Sequence, residues 1–287
     1  MANPVCLSPL KFYDNVNKQE YHKSYAYGHI SPLIARLKML PPFQFVIPSE
    51  LDANNIFLTE AYIVDAKTGE RVYGNFASEL IEIGFTISKF EYFNVAYFSG
   101  NLPIRFNREG IFYIELISNT WKYYSEVFSF TSSVDDCIEI EYWNRINSFF
   151  IKNGIIVFPG GFHFKILLRT EIGKPEYSFE EEGTKRLGYT FIESQVSKKT
   201  YKFNVVIPEF ICDALRIIRL CDNKFIRNKG DEYEAITFEM EAEWQTQGDL
   251  ASVNCEFDVD NVIVNLGGFV PASGDFNDDF NNDFRKD

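Results

Sequence analysis

Two runs of strictly alternating apolar and polar residues constrain the fold more than any other feature of this chain. Both lie in "EYEAITFEMEAEWQTQGDLASVNCEFDV", one on each side of "QTQGD" at 245–249. A period of two is that of a β-strand with one buried face. The glycine in the connection is typical of a turn between neighbouring strands. The two runs therefore predict a pair of strands, and Trp244 is expected to close the core at the end of the first.

The polar positions of these two strands are mostly acidic, and pairing would bring them onto one outer face. They are Glu239, Glu241 and Glu243 in the first strand, and Glu256 and Asp258 in the second. A solvent-facing sheet is the favoured interpretation. Two of the carboxylates could instead act as a glycosidase pair. A third interpretation is a negative surface that faces a negative partner.

Patterns of period two also occupy the first half of the chain. "ELIEIGFTIS" alternates over residues 81–88 and predicts a strand, and "KTGE" at 67–70 predicts a turn. "EGIFYIELIS" and "KYYSEVFSF" predict two strands that are close enough to form a hairpin. Short strands with turns between them favour an antiparallel sandwich over residues 43–133. "REGIFYIEL" resembles the penultimate strand of an immunoglobulin-like domain, so the sandwich is expected to be immunoglobulin-like.

The residues that flank this predicted sandwich are irregular or polar. Residues 1–42 contain several prolines and are expected to form an N-terminal arm. Within that arm, "SPLIARLKML" predicts a short helix, which Pro41 and Pro42 would end. "SSVDD" at 132–136 is a polar break, where we place the boundary between two domains.

A second β-domain is expected over residues 134–268. In "KKTYKFNVVIPEFICDALRIIRLCDN", alternating apolar residues predict a strand up to Ile207. Pro208 cannot continue the strand ladder but suits the start of a helix. Apolar residues then recur at helical spacing over about 209–221, which predicts a helix packed on the sheet. The predicted fold is therefore mainly β with one packed helix in the second domain.

Residues 269–287 predict a flexible acidic C-terminal tail. Gly, Ser, Asn and Asp dominate this segment, and such a composition does not form a core by itself. Phe276, Phe280 and Phe284 nevertheless recur every four residues. This spacing would place three rings on one face of a helix if the tail folds on a partner.

The composition and motifs favour a protein that is not an enzyme and has no cofactor. Lys and Arg total 28 against 41 Asp and Glu, a formal net charge of −13, and such a surface repels nucleic acid. The chain contains no G-x-S-x-G, H-E-x-x-H, phosphate-binding loop or dinucleotide-binding motif. The Cys and His residues are scattered, which favours buried thiols and no metal site: Cys6, Cys137, Cys212, Cys221, Cys255, His22, His29 and His163.

Two further acidic motifs have simple interpretations. The run Glu180–Glu182 could be an acid–base or metal site, but a solvated edge or turn is favoured. "DFNDDFNND" begins like a calcium loop at Asp275, but Phe280 stands where that loop needs glycine and Lys286 where it needs glutamate. No apolar run approaches the roughly 18 residues that would span a membrane, and the first residues do not match a secretory signal.

The second half of the chain resembles virion proteins of phages and prophages of gut Bacteroidetes, including crAss-like phages. The resemblance covers roughly residues 120–265. It rests on "WKYYSEVFSFTSSVDDCIEIEYWN", and most of all on "PEFICDALRIIRL" and "EWQTQGDLASV". Members of this group occupy the neck, tail or baseplate region. The resemblance implies a tail-tube-like β-domain and a structural subunit of a homo-oligomeric ring around the tail channel.

The resemblance also implies partners and a location. The partners would be other neck and tail proteins and DNA in transient passage, without sequence specificity and with no membrane. The subunit would be assembled in the host cytoplasm and reside in the virion. In that setting, the acids from Glu239 to Asp258 would face the channel and repel phosphates. The alternative is a receptor- or glycan-binding module, for which Tyr123, Tyr124 and Trp143 are candidates, although Trp143 is expected in the core.

Overall fold

The computed structural model describes residues 8–14, 33–48, 58–89, 93–100, 102–119, 121–144, 148–151, 154–157, 163–186, 189–244, 250–259 and 262–265. Within these ranges the chain is mainly β, with two helices, and the predicted fold class is confirmed. The elements that start before residue 150 are β1 (Phe12–Tyr13), β2 (Leu33–Arg36), β3 (Phe43–Pro48), β4 (Glu60–Asp65), β5 (Arg71–Tyr73), α1 (Ala77–Glu82), β6 (Thr86–Lys89), β7 (Phe93–Phe98), β8 (Gly110–Ile117), β9 (Lys122–Ser125), β10 (Phe128–Thr131), β11 (Cys137–Trp143) and β12 (Ser148–Ile151). The later elements are β13 (Gly154–Val157), β14 (Phe164–Arg169), β15 (Glu176–Arg186), β16 (Tyr189–Pro208), α2 (Glu209–Ile218), β17 (Asn223–Asn228), β18 (Asp231–Glu234), β19 (Glu239–Trp244), β20 (Leu250–Asp258) and β21 (Val262–Asn265).

The strands form four sheets. The largest has 11 strands in the order β1-β9-β8-β10-β2-β14-β11-β17-β18, with β4 on the far side of β8 and β5 on β4. A second sheet has the order β15-β16-β20-β19, with β21 also paired to β16. The other two are β3-β7-β6 and the hairpin β12-β13. Neighbouring named strands are antiparallel in the described residues, except for the parallel pair of β10 and β2.

The largest sheet crosses the expected domain boundary at residue 133. Strand β2 pairs with β10 on one side and with β14 on the other, where Ile34 lies opposite Leu167. One continuous set of buried apolar residues likewise includes Phe112 from the first half and Leu215 from the second. The break at 132–136 therefore connects two strands of one sheet, and it does not separate two sheets.

The helix predicted in "SPLIARLKML" is wrong over residues 33–36, which form β2. Leu33, Ile34 and Ala35 are all buried, because this strand is central in the largest sheet. A short apolar run has no period that distinguishes a strand from a helix, so its two neighbours decide its conformation. The expected arm over 1–42 is also corrected in part, since Leu10 is buried in the core and β1 pairs with β9.

The strand predicted in "ELIEIGFTIS" is wrong over its first half, which belongs to α1. The side chain of Asn75 accepts a hydrogen bond from the backbone N–H of Ala77 at 3.1 Å, which satisfies an exposed donor at the start of the helix. Leu80 is buried, whereas Ile81 is 51% exposed. Gly84 has a φ of 111° just after the helix, a conformation that favours glycine, and β6 follows.

The predicted pair of strands after residue 110 is confirmed with one change. Strand β8 pairs with β9 and also with β10, because "KYYSEVFSF" divides into two strands at Glu126 and Val127. Glu126 is buried, and it accepts a hydrogen bond from the hydroxyl of Tyr13 in β1. The break in the strand therefore lies where the N-terminal strand joins the sheet.

Helix α2 packs on β16, β19 and β20, as the sequence predicts. Strand β16 runs to Pro208, and the helix begins at the next residue and ends at Ile218, three residues before the expected end. Its buried face consists of Phe210, Ile211, Cys212, Ala214, Leu215, Ile217 and Ile218. The sheet side chains of the same core include Phe203, Val205, Val253 and Cys255. The opposite side of this sheet is therefore the one that faces away from the helix.

Candidate functional site

The outer face of the β15-β16-β20-β19 sheet brings the predicted acids together. In the register of β19 and β20, Glu239 lies opposite Glu256, Glu241 opposite Asn254 and Glu243 opposite Ser252. Directly opposed side chains in antiparallel strands share a face. We call the residues Glu239, Glu241, Glu243, Glu256 and Asp258 the acidic face. All are exposed except Asp258, which is half-buried.

Basic side chains contact only one end of the acidic face. Arg219, just after α2, contacts Glu239 at 3.3 Å, and Lys202 on β16 lies 3.9 Å from Glu256. Lys202 makes a closer contact, at 2.6 Å, with Glu176 on β15. Asp258 accepts a hydrogen bond from the hydroxyl of Thr200 at 2.5 Å. The sequence pattern does not indicate Arg219 or Lys202 as neighbours of the acidic face, because only cross-strand and helix-to-sheet contacts bring them to it.

The other end of the acidic face carries more unbalanced charge. Glu241 and Glu243 form no ion pair with any lysine or arginine in the described part of the chain. Their cross-strand neighbours, Asn254 and Ser252, are neutral. The second half of β19 therefore carries two exposed carboxylates whose charge is not balanced by a neighbouring cation in the described residues.

A shallow polar groove of about 620 Å³ crosses this outer face. One wall is the segment at residues 171–173, which is fixed to β16 by a hydrogen bond of 2.8 Å from the N–H of Gly173 to the carbonyl of Lys202. The opposite wall contains Glu239, Glu241 and Asn254. In the described ranges, no group of three His, Cys, Asp or Glu residues is arranged to hold a metal ion. The groove is open to solvent along its length.

The same sheet extends beyond the core as a projecting arm, which the sequence analysis did not anticipate. We define the arm as β15, residues 189–199 of β16, and β21. Strand β15 is exposed at each described position from Glu176 to Gly183. The run Glu180–Glu182 belongs to it, and its partners are Lys198 at 2.5 Å, Gln195 at 2.8 Å and Ser194 at 3.3 Å. This run is therefore a solvated strand edge, which is the interpretation that the sequence favoured.

One side of the arm carries an apolar patch. Tyr177 lies opposite Lys199, and Phe179 lies opposite Ser197, which in turn lies opposite Val262 of β21. Tyr177 is 64% exposed, Phe179 73% and Val262 55%. Lys199 lies over the ring of Tyr201, at 5.3 Å, so the patch is on the side of the sheet that α2 covers farther along. The side of the sheet that α2 covers near the core therefore continues beyond the end of that helix.

The three candidates for a glycan or receptor site do not form one groove. Tyr123 and Tyr124 are buried in the largest sheet. Trp143 is half-buried and stacks between His163 and Phe225, with ring centroids at 4.1 Å and 5.3 Å. Trp244, expected to close the core, is instead 52% exposed at the end of edge strand β19, where the described strands offer no neighbour to cover it.

An ion-pair network lies beside the Trp143 stack on the largest sheet. Arg227 contacts Glu139 at 2.8 Å, Glu141 at 2.7 Å and Glu232 at 2.5 Å, and His163 contacts Glu141 at 2.8 Å. Burial favours a higher pKa for Glu141, but its hydrogen bonds with His163 and Arg227 outweigh burial and lower that pKa. The network joins β11, β17 and β18, so its role in this structure is to stabilise the sheet.

The four cysteines in the described ranges, Cys137, Cys212, Cys221 and Cys255, are free and buried, in agreement with the expected buried thiols. Burial raises the pKa of Cys221 and of Cys255 to about 12. Several features discussed from the sequence lie outside the described residues: Cys6, His22, His29, the connection at 245–249, the incomplete calcium-loop pattern from Asp275, and Phe276, Phe280 and Phe284.

No protein-family model and no curated protein sequence matches this chain. A search of the described helices finds none that is long and apolar enough to cross a membrane. Function therefore has to be argued from the acidic face, the arm and the resemblance given above.

Proposed function

We propose that the chain is a non-enzymatic structural subunit of a bacteriophage virion, a ring-forming component of the neck or tail around the DNA channel. The sequence resemblance over roughly residues 120–265 supports this class of protein. The structural observation that carries the proposal is the acidic face, which is fixed on a sheet and backed by a helix. A rigid wall of carboxylates suits a channel through which a polyanion must slide without binding.

In this proposal the stretch from Glu241 to Glu243 lines the channel. Its carboxylates repel phosphates, and among the described residues no cluster of lysine or arginine lies beside them to release counterions from DNA. Arg219 and Lys202 lie toward the other end of the face, where they neutralise Glu239 and Glu256. The copies of a closed ring would repeat this surface around the axis through heterologous contacts. The ring would be assembled in the host cytoplasm and reside in the virion, with other neck and tail proteins as neighbours.

The first test is the mass of the purified chain by light scattering, with electron micrographs of the same sample. Closed rings with an axial hole are the expected result, and density for the acidic face should border that hole. A ring in which this face points outward would contradict the channel assignment. A chain that stays monomeric, both alone and with purified neck and tail components, would contradict the ring.

The second test reverses the charge of the acidic face. The variant Glu241→Lys/Glu243→Lys should bind duplex DNA in the ring, with a slope of log affinity against log salt of about −1.8 per subunit if each lysine meets one phosphate. The matched control Glu70→Lys/Glu82→Lys makes the same change at exposed positions outside this sheet and should bind less DNA. Equal binding by the two variants would show that the acidic face has no special access to DNA.

The second candidate is a receptor- or glycan-binding module of the tail or baseplate. The observation in its favour is the half-buried Trp143, stacked between His163 and Phe225, since aromatic rings are common in such sites. This module should show saturable binding to a surface glycan of the host, and Trp143→Ala should weaken it. A screen of Bacteroidetes surface glycans without saturable binding would remove this candidate.

A further inference from the structure

The apolar patch of the arm is the most prominent feature that the proposed ring does not explain. Tyr177, Phe179 and Val262 form two adjacent rows on one side of a three-stranded extension. Large exposed apolar patches on a folded protein mark contact sites. Elsewhere on this side of the sheet, α2 provides the cover, but that helix ends at Ile218 and lies over the part of β16 beyond Tyr201.

The size of the patch helps to identify what covers it. With about 150–250 Å² for each large side chain, the exposed fractions amount to an area on the order of 350 Å². A stable complex between separate proteins buries roughly 800 Å² on each partner. The patch is therefore small for an independent partner. It is adequate for a tethered segment, whose effective concentration is in the millimolar range.

The chain itself supplies such a segment directly after the patch. Val262 belongs to both the patch and β21, and β21 ends at Asn265. The sequence continues through Phe276, Phe280 and Phe284. Ten residues lie between Asn265 and Phe276. The chain between these two positions can span up to about 36 Å, whereas Val262 is only about 10 Å from Asn265 along the strand. The phenylalanines can thus return to the patch without strain.

The spacing of the phenylalanines also matches this patch. They are four residues apart and would share one face of a helix, with aspartates between them. The patch side of the arm contains Lys199 opposite Tyr177 and Glu181 two residues from Phe179, so these two charges balance. The patch therefore offers the rings apolar contact without a net negative charge that would repel the aspartates.

We infer that residues 276–284 dock in cis on the arm, with the phenylalanine rings against Tyr177, Phe179 and Val262. This intramolecular contact covers the apolar patch of the free subunit. It does not rest on the proposed function, because it holds for the isolated chain whether or not a ring forms. A second copy of the chain could displace the segment only by offering a larger surface.

Photo-cross-linking of the full-length chain tests this contact. Phe280 is replaced by p-benzoylphenylalanine, and equal amounts of ¹⁴N- and ¹⁵N-labelled protein are mixed before irradiation. The expected products join the tail to peptides of β15 or β21 within one isotopic species. The matched variant carries the same group at Asn282, on the opposite face of a helix, and should give several-fold less of these products, because its photoreactive group points away from the arm.

Substitutions in the patch complete the test. In the Phe280 cross-linking protein, Phe179→Ser should lower the yield about tenfold, whereas Ile81→Ser, a similar change at an exposed apolar residue of α1, should leave it unchanged. The variant Phe276→Ser/Phe280→Ser/Phe284→Ser leaves the described structure intact and should bind about twice as much of an apolar dye as the unmodified chain. Cross-links of mixed isotopic composition would overturn the inference in favour of a second copy. Cross-links that avoid the arm would overturn docking altogether.

Discussion

Replacement of Arg227 by methionine should destabilise the largest sheet in a pH-dependent way. The guanidinium contacts Glu139, Glu141 and Glu232 at distances from 2.5 to 2.8 Å. Methionine keeps much of the length of the side chain but removes the charge. Loss of one partner from a fully buried ion pair costs about 3–5 kcal/mol. Because the Arg227 side chain is 37% exposed and Glu141 keeps its contact with His163, we expect a loss of about 2 kcal/mol at pH 7.

The loss should become smaller in acid. Burial raises the pKa of Glu141, but the hydrogen bonds with His163 and Arg227 lower that pKa by more than burial raises it. The pKa in the folded chain is therefore below the ordinary 4.5. The carboxylate therefore contributes its full stability above about pH 4.5, and this contribution is lost as the pH falls through the lower folded value. The difference in stability between the unmodified chain and the Arg227→Met variant should therefore shrink as the pH falls below 4.5.

Urea denaturation at pH 7 and at pH 3 measures both effects. The control is Lys229→Met, which removes an exposed pair with Glu171 at 2.7 Å and should cost at most about 1 kcal/mol at either pH. The reasoning would be refuted if Arg227→Met cost no more than this control at pH 7. It would also be refuted if the loss grew between pH 7 and pH 3, since protonation of Glu141 can only reduce the contribution of its pair with Arg227.

Two further predictions concern the core beneath the acidic face. Leu215 of α2 is fully buried, so Leu215→Ala should lower the free energy of unfolding by about 3 kcal/mol. The control Arg216→Ala, at the exposed neighbouring position, should change it by less than about 0.5 kcal/mol. Similar losses for the two variants in chemical denaturation would contradict the packing of α2. Burial raises the pKa of Cys221 and Cys255 to about 12, so at pH 8 both thiols should react with Ellman's reagent only as the chain unfolds, and mass spectrometry of rapidly labelled native protein would reveal any exception.

The sequence predicts the elements of the candidate site because their patterns are long and regular. From Ala251 to Asp258, β20 alternates apolar and polar residues without a break, and the apolar residues of α2 follow a helical period. Such patterns identify the element and also its buried face. The side of β19 that carries Glu241 was therefore predictable. The contacts of Arg219 and Lys202 were not, because residues far apart in the chain form them.

Short apolar runs were interpreted less well, and for a physical reason. The four residues of β2 form a strand because β10 and β14 lie on either side, and nothing within "LIAR" indicates those partners. The first half of "ELIEIGFTIS" belongs to α1, although its apolar residues also fit a strand. Asn75 accepts one hydrogen bond from Ala77 at the helix start and another from Ala61 of β4, which fixes the start of the helix beside that strand. In both segments, hydrogen bonds outside the run decide between two conformations of similar local free energy.

What the sequence by itself determined is the mainly β class, the strand-to-helix transition at Pro208 and the acidic composition of one sheet face. Each follows from local period or from the fixed geometry of proline. What only the tertiary structure decided is which alternating residues are covered. Phe203 and Phe179 both lie in regular strands on the same side of one sheet, yet Phe203 is buried under α2 and Phe179 is 73% exposed on the arm. Burial depends on where the covering helix ends, and no period within a strand encodes the length of its neighbour.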